Sequence, residues 1–216
     1  MIVPLASGAE ARLTGSGPRA VVCVNGGASA EAPGTWSASL EWLVGRLAPR
    51  LPQLAFLEVR YRVKSWRRLD DCVEDARAAL AAAREAGARE VALLGFSMGG
   101  AVAVRAAGDA LVSTVIGLAP WLSPKLDLSP LRGRRLAVVH GGLDAPFPGI
   151  PGVRPALSER GAERASALGV ETARTVIPGA FHAIALRAPW GTPVPLPRAG
   201  RWAAVVGAEL EQFACA

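Results

Sequence analysis

The sequence predicts an α/β fold, a mostly parallel central sheet with helices on both faces. Two observations predict it. Short apolar runs recur along the chain, and the segments between them carry apolar residues at helical spacing, the alternation expected when strands are buried on both faces. The 216 residues, 51% of them hydrophobic, are enough for one domain with a sizeable core and too few for a catalytic domain plus a large second one. Residues 1–216 are therefore expected to form a single domain.

Taken in order, Ala20 to Val24 reads as a buried strand. Trp36, Leu40, Leu43, Val44 and Leu47 then follow helical spacing until Pro49 stops the pattern. Leu54 to Tyr61 is the next strand. Ser65 can cap the helix after it, whose buried stripe is Leu69, Cys72, Val73, Ala76, Leu80 and Ala83, and Gly87 ends that helix. Val91 to Leu94 leads into Gly95-Phe96-Ser97-Met98-Gly99 and a helix-like run from Ala101 to Ala107. Thr114 to Leu118 leads to Ala119-Pro120-Trp121, and Leu136 to Val139 leads to Asp144. A helical stretch runs from Pro155 to Leu168, and Thr172 to Ile177 leads to His182. The proline-dense segment 189–197 is expected to be extended and superficial, before a final helix over 199–213. Right-handed connections between parallel strands bring the loops that follow them to one edge of the sheet, so residues far apart in sequence meet there.

The pentapeptide around Ser97 carries the chemistry. A serine where a buried strand turns sharply into a helix holds its Oγ exposed, and the flanking glycines allow the turn and the close approach it needs. A serine hydroxyl needs a base within hydrogen-bond reach. Of the two histidines, His140 lies on the strand side of Asp144, where it can brace the acid loop, whereas His182 follows a strand end and a Pro-Gly turn. His182 is thus the expected base. The acid is Asp144 or Asp127, and the setting of Asp127 in a loop with Lys125 and two prolines reads as surface, which favours Asp144. The order Ser, Asp, His is that of α/β hydrolases.

At these residues the sequence resembles the α/β-hydrolase family, from about Ala20 to His182, with the nearest likeness to small, lidless serine hydrolases. The matching features are Asn25-Gly26-Gly27 after an early strand, the turn at Ser97, the acid after the strand ending near Val139, and the late histidine. Asn25 departs from the family, which often has histidine there. Relatives of dienelactone hydrolase carry a cysteine nucleophile, so their substrate is not carried over to a chain with serine. The resemblance implies an α/β-hydrolase fold without a large lid, and the short stretch from Trp121 to Arg134, where many members insert one, leaves no room for it. It also implies a carboxylesterase-like enzyme that needs no cofactor and cleaves small or short-acyl esters or thioesters through an acyl-enzyme on Ser97. The alternatives are an acyltransferase or perhydrolase using the same triad, or a non-catalytic binding protein. The oxyanion donors expected are the N–H groups of Met98 and Gly27. Tyr61 and Trp121, at strand ends, are candidate pocket-lining residues.

Composition narrows the remaining classes. The net charge of +6 comes from 24 basic residues, almost all arginine, against 18 acidic ones. The arginines are scattered among acidic partners with no nucleic-acid-binding motif, so nucleic acid is not an expected partner. Asp70, Asp71, Glu74 and Asp75 spread around one helix, most of them on a solvated face, and no metal site is expected there. Cys23, Cys72 and Cys215 are odd in number and lack metal-ligand spacing, which suggests a reducing compartment. No secretory signal or membrane-length apolar run is visible, and a cytoplasmic location is expected, with the oligomeric state open.

Overall fold

The computed structural model describes residues 1–145 and 152–215. Eight strands form the main sheet: β1 (Ile2–Pro4), β2 (Glu10–Thr14), β3 (Arg19–Val24), β4 (Leu54–Arg60), β5 (Glu90–Phe96), β6 (Val112–Leu118), β7 (Arg135–Gly141) and β8 (Glu171–Ile177). Their order across the sheet is β1-β2-β4-β3-β5-β6-β7-β8. The pairs β1–β2 and β2–β4 are antiparallel, and every other neighbouring pair is parallel.

The central strands are apolar because both faces are covered. Val21, Cys23, Phe56, Ala92, Leu94, Ile116 and Val139 pack on one side with α1 (Ala38–Leu47) and α5 (Ala199–Cys215). Val22, Leu57, Leu93, Val115 and Val138 pack on the other with α2 (Leu69–Glu85), α3 (Met98–Ala106) and α4 (Pro155–Ala167). Successive side chains of a strand point to opposite faces, so each continuous apolar run feeds two cores. Burying each large aliphatic or aromatic side chain contributes about 1.5–3 kcal/mol. Trp202 on α5 is the largest fully buried side chain, closing the α1/α5 layer.

Helix boundaries follow local chemistry. Ser37 accepts the Leu40 N–H and starts α1. Ser65 does cap, but the turn it starts is a short 3₁₀ segment, Trp66–Arg68, that runs on into α2. Asp75 differs from the expectation of a solvated acidic face. It is fully buried and accepts both the backbone N–H of Arg62 at 2.9 Å and its Nε at 2.7 Å. Asp70, Asp71 and Glu74 pair with Arg105, Arg68 and Arg62. Among the described residues no group of three His, Cys, Asp or Glu side chains is arranged to hold a metal ion.

β1 and β2 were not expected from the sequence. They are short, β1 at the edge of the sheet and β2 beside it, and of their side chains only that of Ala11 is buried, so they lack an apolar run. The proline-dense segment is extended as expected, and Pro193–Pro195 pairs antiparallel with Ala185–Arg187 in a small ribbon against α1. Between β6 and β7 the chain forms a loop with one 3₁₀ turn, Ser129–Leu131, and no lid. No described helix is long and apolar enough to cross a membrane.

Candidate active site

Register decides what converges. Val24 pairs with Gly95, Phe96 with Leu118, Leu118 with Val139, and Gly141 with Ile177. The carboxyl ends of β3, β5, β6, β7 and β8 are thereby level, and the loops carrying Asn25, Ser97, Asp144 and His182 leave the same edge. In open α/β sheets that edge is where ligands bind.

Ser97 occupies the turn between β5 and α3 with φ 56° and ψ −117°, backbone angles that a non-glycine residue rarely adopts. The turn is locked from several sides. Ser97 N–H donates to Leu118 O at 2.9 Å, and Ser97 O accepts from the N–H groups of Gly100 and Trp121, both at 3.0 Å. The flanking glycines permit close approach. A Cβ on Gly95 would lie 2.3 Å from Gly99 O, and one on Gly99 would lie 2.3 Å from Val24 O. Any side chain at either position would push α3 off the sheet.

His182 and Ser97 line one cavity of about 400 Å³. His182 Nδ1 is 2.6 Å from Asp144 Oδ2, and the carboxylate makes this nitrogen the donor, leaving Nε2 with a free lone pair. No hydrogen bond joins Ser97 Oγ to His182 among the described residues. Catalytic contacts of this kind are often long before substrate binds. Phe96 packs against the His182 ring with centroids 5.1 Å apart.

Asp144 has a more elaborate setting than the sequence suggested. Its Oδ1 accepts the Val153 N–H at 2.9 Å, and its Oδ2 lies 2.9 Å from His140 Nε2 as well as against His182. His140 is fully buried, with Nε2 also 2.7 Å from Val153 O and Nδ1 2.7 Å from Ser158 Oγ. Because Nε2 faces two acceptors, it carries the proton. The carboxylate thus sits between two imidazoles. Burial alone would push its pKa up, but the hydrogen bonds from His140 and His182 outweigh that and hold it below the ordinary aspartate value. Asp127, the rival acid, is exposed and bonded to the N–H and hydroxyl of Ser129, away from the cavity.

Asn25, where a histidine is common in the resembling family, organises the opposite wall. Its Nδ2 donates to Thr35 O at 3.1 Å and its Oδ1 accepts the Gly26 N–H at 2.7 Å. Gly27 lines the cavity, and its N–H has no partner among the described residues. The Met98 N–H, at the first position of α3, is likewise unpartnered.

Two residues expected to line the pocket lie outside this cavity. Tyr61 does not line the cavity; it is buried, with its hydroxyl donating to Asn25 O at 3.1 Å, and burial pushes its pKa well up. Trp121 does not line it either, and packs edge-on against Trp66 with centroids 4.6 Å apart. Tyr61 fills the core beside the site, and Trp121 is partly buried against it. The cavity wall is formed instead by Thr35, Trp36, Lys64, Leu186 and Arg187 with the residues already named. None of these carries a local motif, so spacing could not have revealed them.

A family model described as the alpha/beta hydrolase family matches residues 21–213. The chain belongs to that family. The expected fold class and enzyme class, a hydrolase of the alpha/beta type, are met by this membership. Among solved structures, an alpha-beta serine hydrolase homologue from Coxiella burnetii is 18% identical with a TM-score of 0.68, over 97% of this chain and 96% of that one. An esterase from Pyrobaculum calidifontis is 17% identical with a TM-score of 0.69, over 100% of this chain and 85% of the other. A dienelactone hydrolase from Anabaena variabilis is 18% identical with a TM-score of 0.63, over 96% and 94%. At these identities the likeness is one of fold. A search of curated proteins finds no match.

Proposed function

We propose that this alpha/beta hydrolase cleaves carboxylic esters or thioesters of small or short-acyl substrates through an acyl-enzyme on Ser97. The observation that carries this reading is the 2.6 Å contact of His182 Nδ1 with Asp144, which turns the Nε2 lone pair of a residue lining the Ser97 cavity into an available base.

In the first half-reaction Ser97 Oγ attacks the carbonyl carbon while its proton passes to His182 Nε2. The negative charge moves to the carbonyl oxygen, where the N–H groups of Gly27 and Met98 receive it; each such donor is worth about 3–4 kcal/mol in the transition state. Asp144 stabilises the imidazolium. The intermediate collapses by breaking the bond to the alcohol or thiol, which leaves with the proton from His182. In the second half-reaction His182 takes a proton from water, the hydroxide adds to the acyl carbon, and Ser97 departs with that proton as the acid is released.

The cavity of about 400 Å³ lies at the small end of ligand sites. Together with the absence of a lid among the described residues, this supports short, soluble acyl groups. Hydrolysis of p-nitrophenyl acetate or butyrate tests the reading, with Ser97→Ala expected to lower kcat by about a million-fold, as removal of a triad serine can. Turnover undiminished in the variant would overturn it.

A further inference from the structure

The cavity holding Ser97 has an electrostatic character that the chemistry of ester cleavage does not require. None of its lining residues is Asp or Glu, while two, Lys64 and Arg187, are cations. Arg187 is neutralised: its guanidinium pairs with Glu41 at 2.8 Å and donates to Trp36 O and Gly191 O. Lys64 is not neutralised. Its one hydrogen bond among the described residues runs from Nζ to Thr35 Oγ1 at 2.9 Å, and it makes no ion pair there. Glu31, next to the Ala32 that pairs with Lys64, is engaged by Arg68, and Glu41 by Arg12 and Arg187. Lys64 is half-buried, and burial lowers its pKa with no neighbouring acid to raise it.

A second, separate element points the same way. Ser37, Ala38 and Ser39, the cap and first two residues of the ten-residue α1, line the same cavity. Ser37 Oγ takes the Leu40 N–H, but the Ala38 and Ser39 N–H groups have no partner among the described residues, and they stand at the positive end of the helix. A half-buried ammonium and the first residues of a helix line one cavity without acids, an arrangement suited to an anion. Lysine is also rare here: of 24 basic residues only Lys64 and Lys125 are lysine.

We propose that this arrangement is a subsite for an anionic group of the substrate, so that the preferred esters carry a carboxylate, as monoesters of short dicarboxylic acids do. One uncompensated ammonium matches a monoanion, and a carboxylate is satisfied by the Lys64 Nζ, the Thr35 hydroxyl and the free N–H groups of α1. This deepens the reading of Ser97 as an esterase nucleophile and rests on it for turnover, though not for binding.

The test compares monomethyl glutarate with methyl pentanoate, which differs in having a terminal methyl in place of the carboxylate, by titrating released acid. Wild type should favour the monoanion in kcat/KM by about tenfold to a hundredfold, the range a charge-assisted hydrogen bond supplies. The preference should shrink in 0.5 M salt, fall toward unity in Lys64→Met and Lys64→Gln, and survive in Lys64→Arg. In parallel, calorimetry with glutarate on wild type and on the Lys64 variants reads the subsite without turnover, and two Lys64 replacements guard against one that fails to fold. Equal rates for the two esters in wild type, with glutarate binding absent or insensitive to Lys64, would overturn the proposal while leaving the esterase reading intact. Lys64-dependent glutarate binding without hydrolysis of either ester would sustain the subsite and remove the esterase reading.

Discussion

Replacing Asp144 by Asn separates the two jobs this residue does, because the amide cannot satisfy all three of its partners. The carboxylate accepts from His182 Nδ1 at 2.6 Å, His140 Nε2 at 2.9 Å and Val153 N–H at 2.9 Å. If the Asn oxygen keeps the Val153 bond, its NH₂ faces both imidazoles and turns His182 Nδ1 into an acceptor. The His182 proton then moves to Nε2, where it faces the Ser97 cavity and can no longer accept a proton from the hydroxyl. The corresponding change in a serine protease triad lowers kcat by about ten thousand-fold, near 5 kcal/mol of transition-state energy. His140 cannot follow the same switch, since its Nε2 must still donate to Val153 O at 2.7 Å. One buried polar contact is therefore lost, at a cost of about 1–3 kcal/mol. For a chain of this size that corresponds to a fall in Tm of roughly 2–12 °C. The stability gap should also close in acid. The depressed pKa of Asp144 stabilises the fold above the unfolded aspartate value of about 3.9 and ceases to do so as pH falls through the folded one. Steady-state p-nitrophenyl butyrate hydrolysis and thermal melts at pH 7 and pH 3.5 measure both effects. Turnover of Asp144→Asn within tenfold of wild type would refute the account of the acid.

Two further perturbations probe the frame around the site. Ser97→Gly and Ser97→Ala both remove the hydroxyl, but only glycine tolerates φ 56°, so relief of about 1–3 kcal/mol of strain should exceed the roughly 0.5–1 kcal/mol entropic cost of glycine. Ser97→Gly should melt about 1–8 °C above Ser97→Ala, and a lower Tm for the glycine variant would show that the turn is unstrained. Beside the cavity-lining Trp36, on which the Arg12 guanidinium stacks, Glu58 is buried and held by two 2.9 Å bonds from Arg12. Burial pushes the Glu58 pKa up, and Arg12→Met would leave its charge unpaired at a cost of about 3–5 kcal/mol in urea unfolding at pH 8. A carboxyl with a raised folded pKa binds its proton more readily in the folded state, so the cost should shrink from pH 8 to pH 5; a cost that grows on acidification would contradict this.

The parts of the molecule legible in the sequence were those where one local constraint decides the residue. The turn at Ser97 is readable because Gly95 and Gly99 sit where a Cβ would strike backbone, and the central strands are readable because two-sided burial leaves mostly apolar side chains. Strand starts were read late, since Arg19, Glu90, Arg135 and Glu171 begin β3, β5, β7 and β8 with charges that lie at the amino edge of the sheet. β1 and β2 have no apolar run to mark them, since both are short and only Ala11 of their side chains is buried. The place of Tyr61 after a strand suggests the pocket, but it points inward and its hydroxyl donates to the Asn25 carbonyl, an outcome set by packing and not by position in the chain. The bracing of Asp144 by His140 was anticipated as a role for the loop, while the paired imidazoles on one carboxylate oxygen depend on a contact across the fold. Lys64 and Arg187, 123 residues apart by subtraction of their numbers, share a cavity that only the folded sheet creates.

The central claim, that Ser97 is an activated nucleophile, is tested most directly by treating the folded protein with a fluorophosphonate and mapping the adduct by peptide mass spectrometry. The account predicts a single stoichiometric adduct on Ser97, lost in Ser97→Ala and formed far more slowly in His182→Ala. No adduct, or one of equal extent on another residue in the Ser97→Ala variant, would contradict it.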